Sequence, residues 1–221
     1  MNYALANLVK IQQEIILKTS KSNNNIKLPK VIAVSKTFSM DSILPIINHG
    51  HIDFGENKIQ EAVAKWQDIK EKYNHLKLHM IGRLQKNKVK YAVRLFDYIH
   101  SLDNLRLAEK IANEEVKQNK KIKIFIQVNI SEENQKNGIV AKELNNFYNV
   151  CINDFKLNII GLMCIPANNI KNSYHYKEMC DVAKKLKIKE LSMGMSGDYL
   201  DALNYGATYL RIGSKIFGER S

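Results

Sequence analysis

The sequence predicts an α/β fold, a single (β/α)8 barrel in one domain over residues 1–221. Three observations carry this. Eight short apolar runs rich in Val, Ile and Phe recur along the chain, and segments with apolar residues at helical spacing lie between them. Strands alternating with helices imply parallel βαβ units, because parallel neighbours need a crossover connection. Finally, no linker or break in composition divides the chain. An open doubly wound sheet is the competing arrangement. It more often carries a glycine-rich loop after its first strand, whereas this first strand runs straight into Ser35-Lys36.

The elements follow in order. "MNYALANLVKIQQEIILKTS" places Leu5, Leu8, Val9, Gln12, Ile15 and Ile16 on one helical face, and it lacks the pattern of a signal peptide. The strand candidates are "KVIAVSK", "HIDFGE", "LKLHMIG", "FDYIHS", "KIKIFIQVNI", "KLNIIGLMCI", "KELSMGM" and "ATYLRIGS". Between them, Ile59, Ala62, Val63, Trp66 and Ile69 recur at helical spacing, as do Leu105, Ala108, Ile111, Ala112 and Val116. Asp103 or Asn104 is placed to cap the second of these helices. A helix is expected over roughly Asp198 to Tyr205, with Gly206 as its left-handed cap.

Composition narrows the function. With 45% hydrophobic residues, 3 Pro and 10 Gly, the chain can bury a core and is not a fibrous or disordered sequence. No apolar run approaches the roughly 20 residues that cross a bilayer. The formal charge of +12 could mark a nucleic-acid surface, but the lysines are scattered. Arg83, Lys86, Lys88 and Lys90 wrap around a helix start and form no stripe, so a solvated basic surface is the expectation. Cys151, Cys164 and Cys180 have no metal-ligand spacing and are odd in number, which suits reduced thiols in the cytoplasm.

In a barrel, function gathers at the C-terminal ends of the strands. Those ends supply Lys36, Glu56 and Asn57, Gly82 and Arg83, and His100 and Ser101. Further on they supply Gln127 and Asn129, Met163, Ser192 and Ser196, and Arg211, Gly213 and Ser214. Ile32, Val34 and Lys36 share a strand face. A lysine there either snorkels to water or holds an amine at an apolar pocket, where burial lowers its pKa and frees it to attack an aldehyde. Ser196-Gly197 and Gly213-Ser214 make two turns suited to phosphate, after strands seven and eight. Ordinary capping explains the first nearly as well. A lysine and a phosphate cradle together suit pyridoxal 5′-phosphate (PLP).

"VIAVSKT", "FGENKIQEA", "HMIGRLQKNKVK", "IHSLDN", "IQVNISEENQKNGI", "GLMCIPA", "LSMGMSGDY" and "RIGSKIFGER" occur in this order. Together they closely resemble the pyridoxal phosphate homeostasis protein family, small PLP-binding proteins related to the N-terminal barrel of alanine racemase. The resemblance implies PLP held as an aldimine on Lys36, with Ser196, Gly213 and Ser214 at the phosphate. It also implies Arg211 near the pyridine nitrogen and Asn57 and Met163 beside the ring. Ser214 stands where that family commonly has threonine, and so does Cys164.

The implied function is intracellular vitamin B6/PLP homeostasis with little or no turnover, since a facing arginine makes the ring a weak electron sink. A single-domain amino-acid racemase using Lys36 as one base is the rival. PLP-dependent apoenzymes are the partners the resemblance suggests. No membrane and no nucleic acid are expected, and a monomer is the default without the racemase's second domain.

Overall fold

The computed structural model describes residues 2–20, 28–131, 137–166 and 172–219. Helix α1 (Tyr3–Ser20) precedes the first strand, β1 (Lys30–Val34). There follow α2 (Met40–Asn48), β2 (Asp53–Glu56), α3 (Ile59–Lys72), β3 (Lys77–Met80), a 3₁₀ turn (Lys86–Lys88), α4 (Val89–Leu95) and β4 (Tyr98–Leu102). The second half runs α5 (Leu105–Lys117), β5 (Lys123–Gln127), α6 (Leu144–Asn153), β6 (Asn158–Met163), α7 (Asn172–Lys185), β7 (Glu190–Met195), α8 (Tyr199–Leu203), β8 (Tyr209–Ile212) and α9 (Ser214–Phe217). The eight strands pair in sequence order and close, so the expected parallel barrel is present. Closure comes from β1 pairing with β8, with Lys30 opposite Tyr209 and Ala33 opposite Ile212.

Alternation along each strand divides the apolar residues between two layers. Val31 and Ala33 of β1 face outward into the large core beneath the helices, with Leu78 and Met80 of β3 and Ile124 and Ile126 of β5. Ile32 and Val34 face inward, where they meet Tyr98, Phe125, Met163 and Tyr209. Trp66 of α3 is fully buried and packs on Phe54 with ring centroids 4.9 Å apart. At Gly161 a Cβ would sit 2.4 Å from both the Glu190 carbonyl and the Phe125 ring, so β6 accepts only glycine where it crosses that ring.

The helices depart from the sequence pattern at their flanks. α1 buries Ala4, Leu8, Ile11 and Ile15, while Ile16 is 49% exposed. In α5 the buried stripe is Leu107, Ala108 and Ile111, and Val116 is 80% exposed. Asn104 is the cap of α5, its side chain accepting from the Leu107 N–H at 2.9 Å. α8 is shorter than expected, and Gly206 takes the left-handed conformation (φ +74°) after it. Among the described residues, no helix is long and apolar enough to cross a membrane.

Candidate cofactor site

A cavity of about 460 Å³ opens at the C-terminal mouth of the barrel. β1 contributes Val34 and, just beyond it, Lys36; the ends of β2 and β3 contribute Asn57, Ile81 and Gly82. From the far side of the closure come Met195, Ser196 and Gly197 after β7, then Arg211, Gly213 and Ser214 on and after β8. Six of the seven site residues expected from the sequence therefore line one space. Met163 does not line it: the side chain is fully buried in the inner cluster with Phe125 and Tyr209.

Lys36 is held by an arrangement of neighbouring groups that no sequence motif announced. The residues on either side of it are tied to β2 and α3. Ser35 Oγ donates to the buried Glu56 carboxylate at 2.8 Å, and Lys65 Nζ donates to the Ser35 carbonyl at 2.9 Å. The Thr37 N–H donates to Glu61 at 2.5 Å. Lys65 bridges the two carboxylates at 3.1 Å each, and Trp66 Nε1 adds a bond to Glu56 at 2.9 Å. Thr37 has φ +69°, a left-handed conformation that a β-branched residue adopts only when its surroundings hold it. The ion-paired brace supplies that constraint and sets the direction in which Lys36 leaves the strand.

Across the cavity, the Ser196 hydroxyl accepts from the backbone N–H groups of Gly213 and Lys215, each at 3.2 Å. Two N–H groups and two hydroxyls, Ser196 and Ser214, thus meet in one turn, a donor set suited to an anion of phosphate type. Arg211 is buried: Nη1 donates to Ser192 Oγ at 2.7 Å and Nη2 to the Cys164 carbonyl at 2.8 Å. Burial lowers its pKa, but a guanidinium remains a cation throughout the physiological range. The Cys164 thiol is pushed up to about 12 by burial, so it stays neutral beside that charge.

Asn57 supplies an orphaned group: its buried Oδ1 has no hydrogen-bond partner among the described residues. An unpaired buried amide oxygen costs stability unless a ligand group satisfies it. Two residues beyond β3, position 82 accepts only glycine, since a Cβ there would lie 2.3 Å from the Asn57 carbonyl. Ser101 fixes that turn by donating to the Gly82 carbonyl at 2.6 Å. An amine, an amide residue, a buried cation and a phosphate-type turn, all lining one space, fit an aldehyde-bearing phosphorylated ring such as PLP. Gln127 and Asn129 fall outside this lining, and Arg83 is exposed.

The family described as alanine racemase, N-terminal domain, matches residues 18–221. The pyridoxal phosphate homeostasis protein of Haemophilus influenzae is 34% identical, over 97% of this chain and 95% of that one. This chain belongs to the pyridoxal phosphate homeostasis protein family. Within reach of the same family, PipY of Synechococcus elongatus, solved with PLP bound, superposes with a TM-score of 0.78 at 28% identity. That match covers 92% of this chain and all of PipY. An alanine racemase of Clostridium difficile shares the fold alone, at 11% identity and a TM-score of 0.69, and this chain spans 57% of its length.

Proposed function

We propose that the chain is a PLP-binding homeostasis protein, one barrel domain over residues 1–221, that holds the cofactor as a Schiff base on Lys36. The Lys36 amine adds to the aldehyde and water leaves, giving the imine. Ser196, Gly213 and Ser214 would hold the phosphate, Arg211 the pyridine nitrogen, and Asn57 the ring's polar edge. Met163 would act from the packed interior beneath the ring. The observation that carries this reading is the meeting of Lys36 and the Ser196–Gly213 turn across one cavity, from opposite sides of the β1–β8 closure.

Low turnover is part of the proposal. A racemase needs a second proton-exchanging group opposite its lysine. Among the described residues, no Tyr, His, Asp or Glu lines the cavity. Tyr199 is tied outside it to Glu14 and Lys215, and Tyr176 donates to Asp198 at 2.6 Å. A permanent cation at the ring nitrogen also disfavours its protonation and weakens the electron sink. The three unpaired cysteines are consistent with a cytoplasmic setting, in which PLP-dependent apoenzymes would be the recipients.

The test is an absorbance spectrum of the PLP-loaded protein before and after borohydride, followed by peptide mapping. A reducible imine band and a covalent adduct on Lys36 are expected. An adduct elsewhere would overturn the assignment, and robust formation of D-alanine from L-alanine would replace the carrier with a racemase.

A further inference from the structure

Behind Arg211, the interior of the barrel contains a line of four polar groups that no part of the proposed binding step uses. Arg211 Nη1 lies 2.7 Å from Ser192 Oγ, and Ser192 Oγ lies 2.9 Å from His100 Nδ1. His100 Nε2 then lies 3.0 Å from His79 Nδ1, and His79 Nε2 lies 2.9 Å from Asp53 Oδ1. The five side chains come from β8, β7, β4, β3 and β2. All are buried.

Elementary hydrogen-bond chemistry fixes where each proton sits. An ionised carboxylate only accepts, so a neutral His79 carries its proton on Nε2, donates it to Asp53 and is bare at Nδ1. His100 must then donate to that nitrogen from Nε2 and is bare at its own Nδ1. Ser192 donates its hydroxyl proton to His100 Nδ1 and accepts from Arg211, whose guanidinium only donates. With both rings neutral, no other assignment satisfies all four contacts.

Electrostatics agree at each station. Burial lowers the pKa of both histidines, His100 well below the usual range, with the neighbouring Arg211 charge adding to the effect. Burial also raises Asp53, but the bond from His79 and the nearby Lys30 charge work against it, and the net shift is downward, leaving the carboxylate ionised. Stacking holds both ring planes: His79 lies 4.1 Å from Tyr98 and His100 lies 4.3 Å from Phe125, centroid to centroid.

We propose that Asp53, His79, His100 and Ser192 form a one-way hydrogen-bond relay that positions Arg211 from the far side of the barrel interior. The relay is a brace and not a proton wire. Its protons all point away from the cavity, and the only group at its head, Arg211, does not give one up. It therefore orients the guanidinium through a hydroxyl and two neutral rings, and Arg211, a cation by its own chemistry, disfavours a protonated ring nitrogen wherever it faces one. What Arg211 faces rests on the reading of the cavity as a PLP site; the relay itself does not.

Two measurements test this. Nitrogen-15 NMR of the protein without added PLP, labelled at histidine, should show His79 and His100 protonated at Nε2 and bare at Nδ1 near pH 7.5. A ring carrying Nδ1–H, or protonated on both nitrogens, would overturn the relay. In the second, PLP titration of Ser192→Ala should show roughly tenfold weaker binding and a shifted absorbance band. Ser192→Thr, which keeps the hydroxyl, should restore both. If Ser192→Ala folds and binds with the original affinity and spectrum, positioning through Ser192 is wrong. Should the unaltered protein take up no PLP, the cofactor reading fails, and the NMR result alone decides the relay.

Discussion

Lys30 and Lys36 stand at opposite ends of the same strand, and each opens onto a cavity, yet their surroundings differ in kind. At the N-terminal mouth, Lys30 and Lys123 both approach the Tyr98 hydroxyl at 3.4 Å, and Lys30 also lies over the Tyr98 and Tyr209 rings. Glu190 lines the same space, of about 290 Å³. The lysine charges there are met by aromatic rings and a hydroxyl already present. At the C-terminal mouth, Lys36 shares its cavity with the orphaned Asn57 oxygen and with a turn of N–H and hydroxyl donors. A lysine at a barrel mouth is thus not in itself a site. What distinguishes the C-terminal mouth is the set of groups around its lysine: an amide, a buried guanidinium and a serine–glycine turn on one cavity.

The sharpest way to break that contrast is to remove each lysine in turn. Lys36→Ala should abolish the borohydride-fixed adduct, with a thermal midpoint close to that of the parent, because one rim side chain does not hold the barrel together. A remaining adduct at Lys30 would erase the distinction. Next in size is Lys65→Met, which leaves the Glu56 carboxylate buried without its cation. Such losses cost about 3 kcal/mol, measurable by denaturant unfolding, and imine formation should slow as the Lys36 turn loosens.

The interior between the two mouths makes its own prediction. His79 and His100 are held neutral in the fold, whereas in the unfolded chain they bind protons below about pH 6.5. The folded state therefore takes up fewer protons there, and stability should fall as the pH drops from 6.5 toward 5, by up to about 2 kcal/mol for each ring. The carboxylates with lowered values, Asp53, Glu14 and Glu61, act in a lower window, below about pH 4.5. A flat profile between pH 6.5 and 5 in urea titrations would contradict neutral rings. Ser196→Ala should weaken PLP or inorganic phosphate binding by roughly tenfold, the worth of one hydrogen bond to a charged group. Smallest of all, Lys30→Ala should change PLP uptake by less than twofold in the same titration.

All eight strands were legible because a β-strand announces itself within a handful of adjacent residues. Helix faces were less so. Ile16 and Val116 continue an apolar period, but they sit at the flank where the barrel wall curves away, and spacing alone carries no information about that curvature. Lys36, Ser196, Gly213 and Ser214 could be read because each directly follows a strand. The Glu56–Lys65–Glu61 brace could not, since it depends on how α3 is rotated against β2. His79 lies two residues before the inward-facing Ile81, so its direction was available in the sequence. Its partners were not, because they come from strands whose relative register only the closed barrel defines.

That closure has a consequence for the order in which the protein is made. Lys36 emerges early in synthesis, while the strand that seals the barrel and the turn that would seat a phosphate arrive some 175 residues later. α9, just beyond that turn, is anchored back on α1 through the bond from Asn7 to the Ile216 carbonyl, at 3.0 Å. A chain interrupted anywhere between residues 36 and 209 would carry Lys36 without the pocket around it. If the cofactor reading holds, retention of PLP would double as a report that translation ran through the last strand.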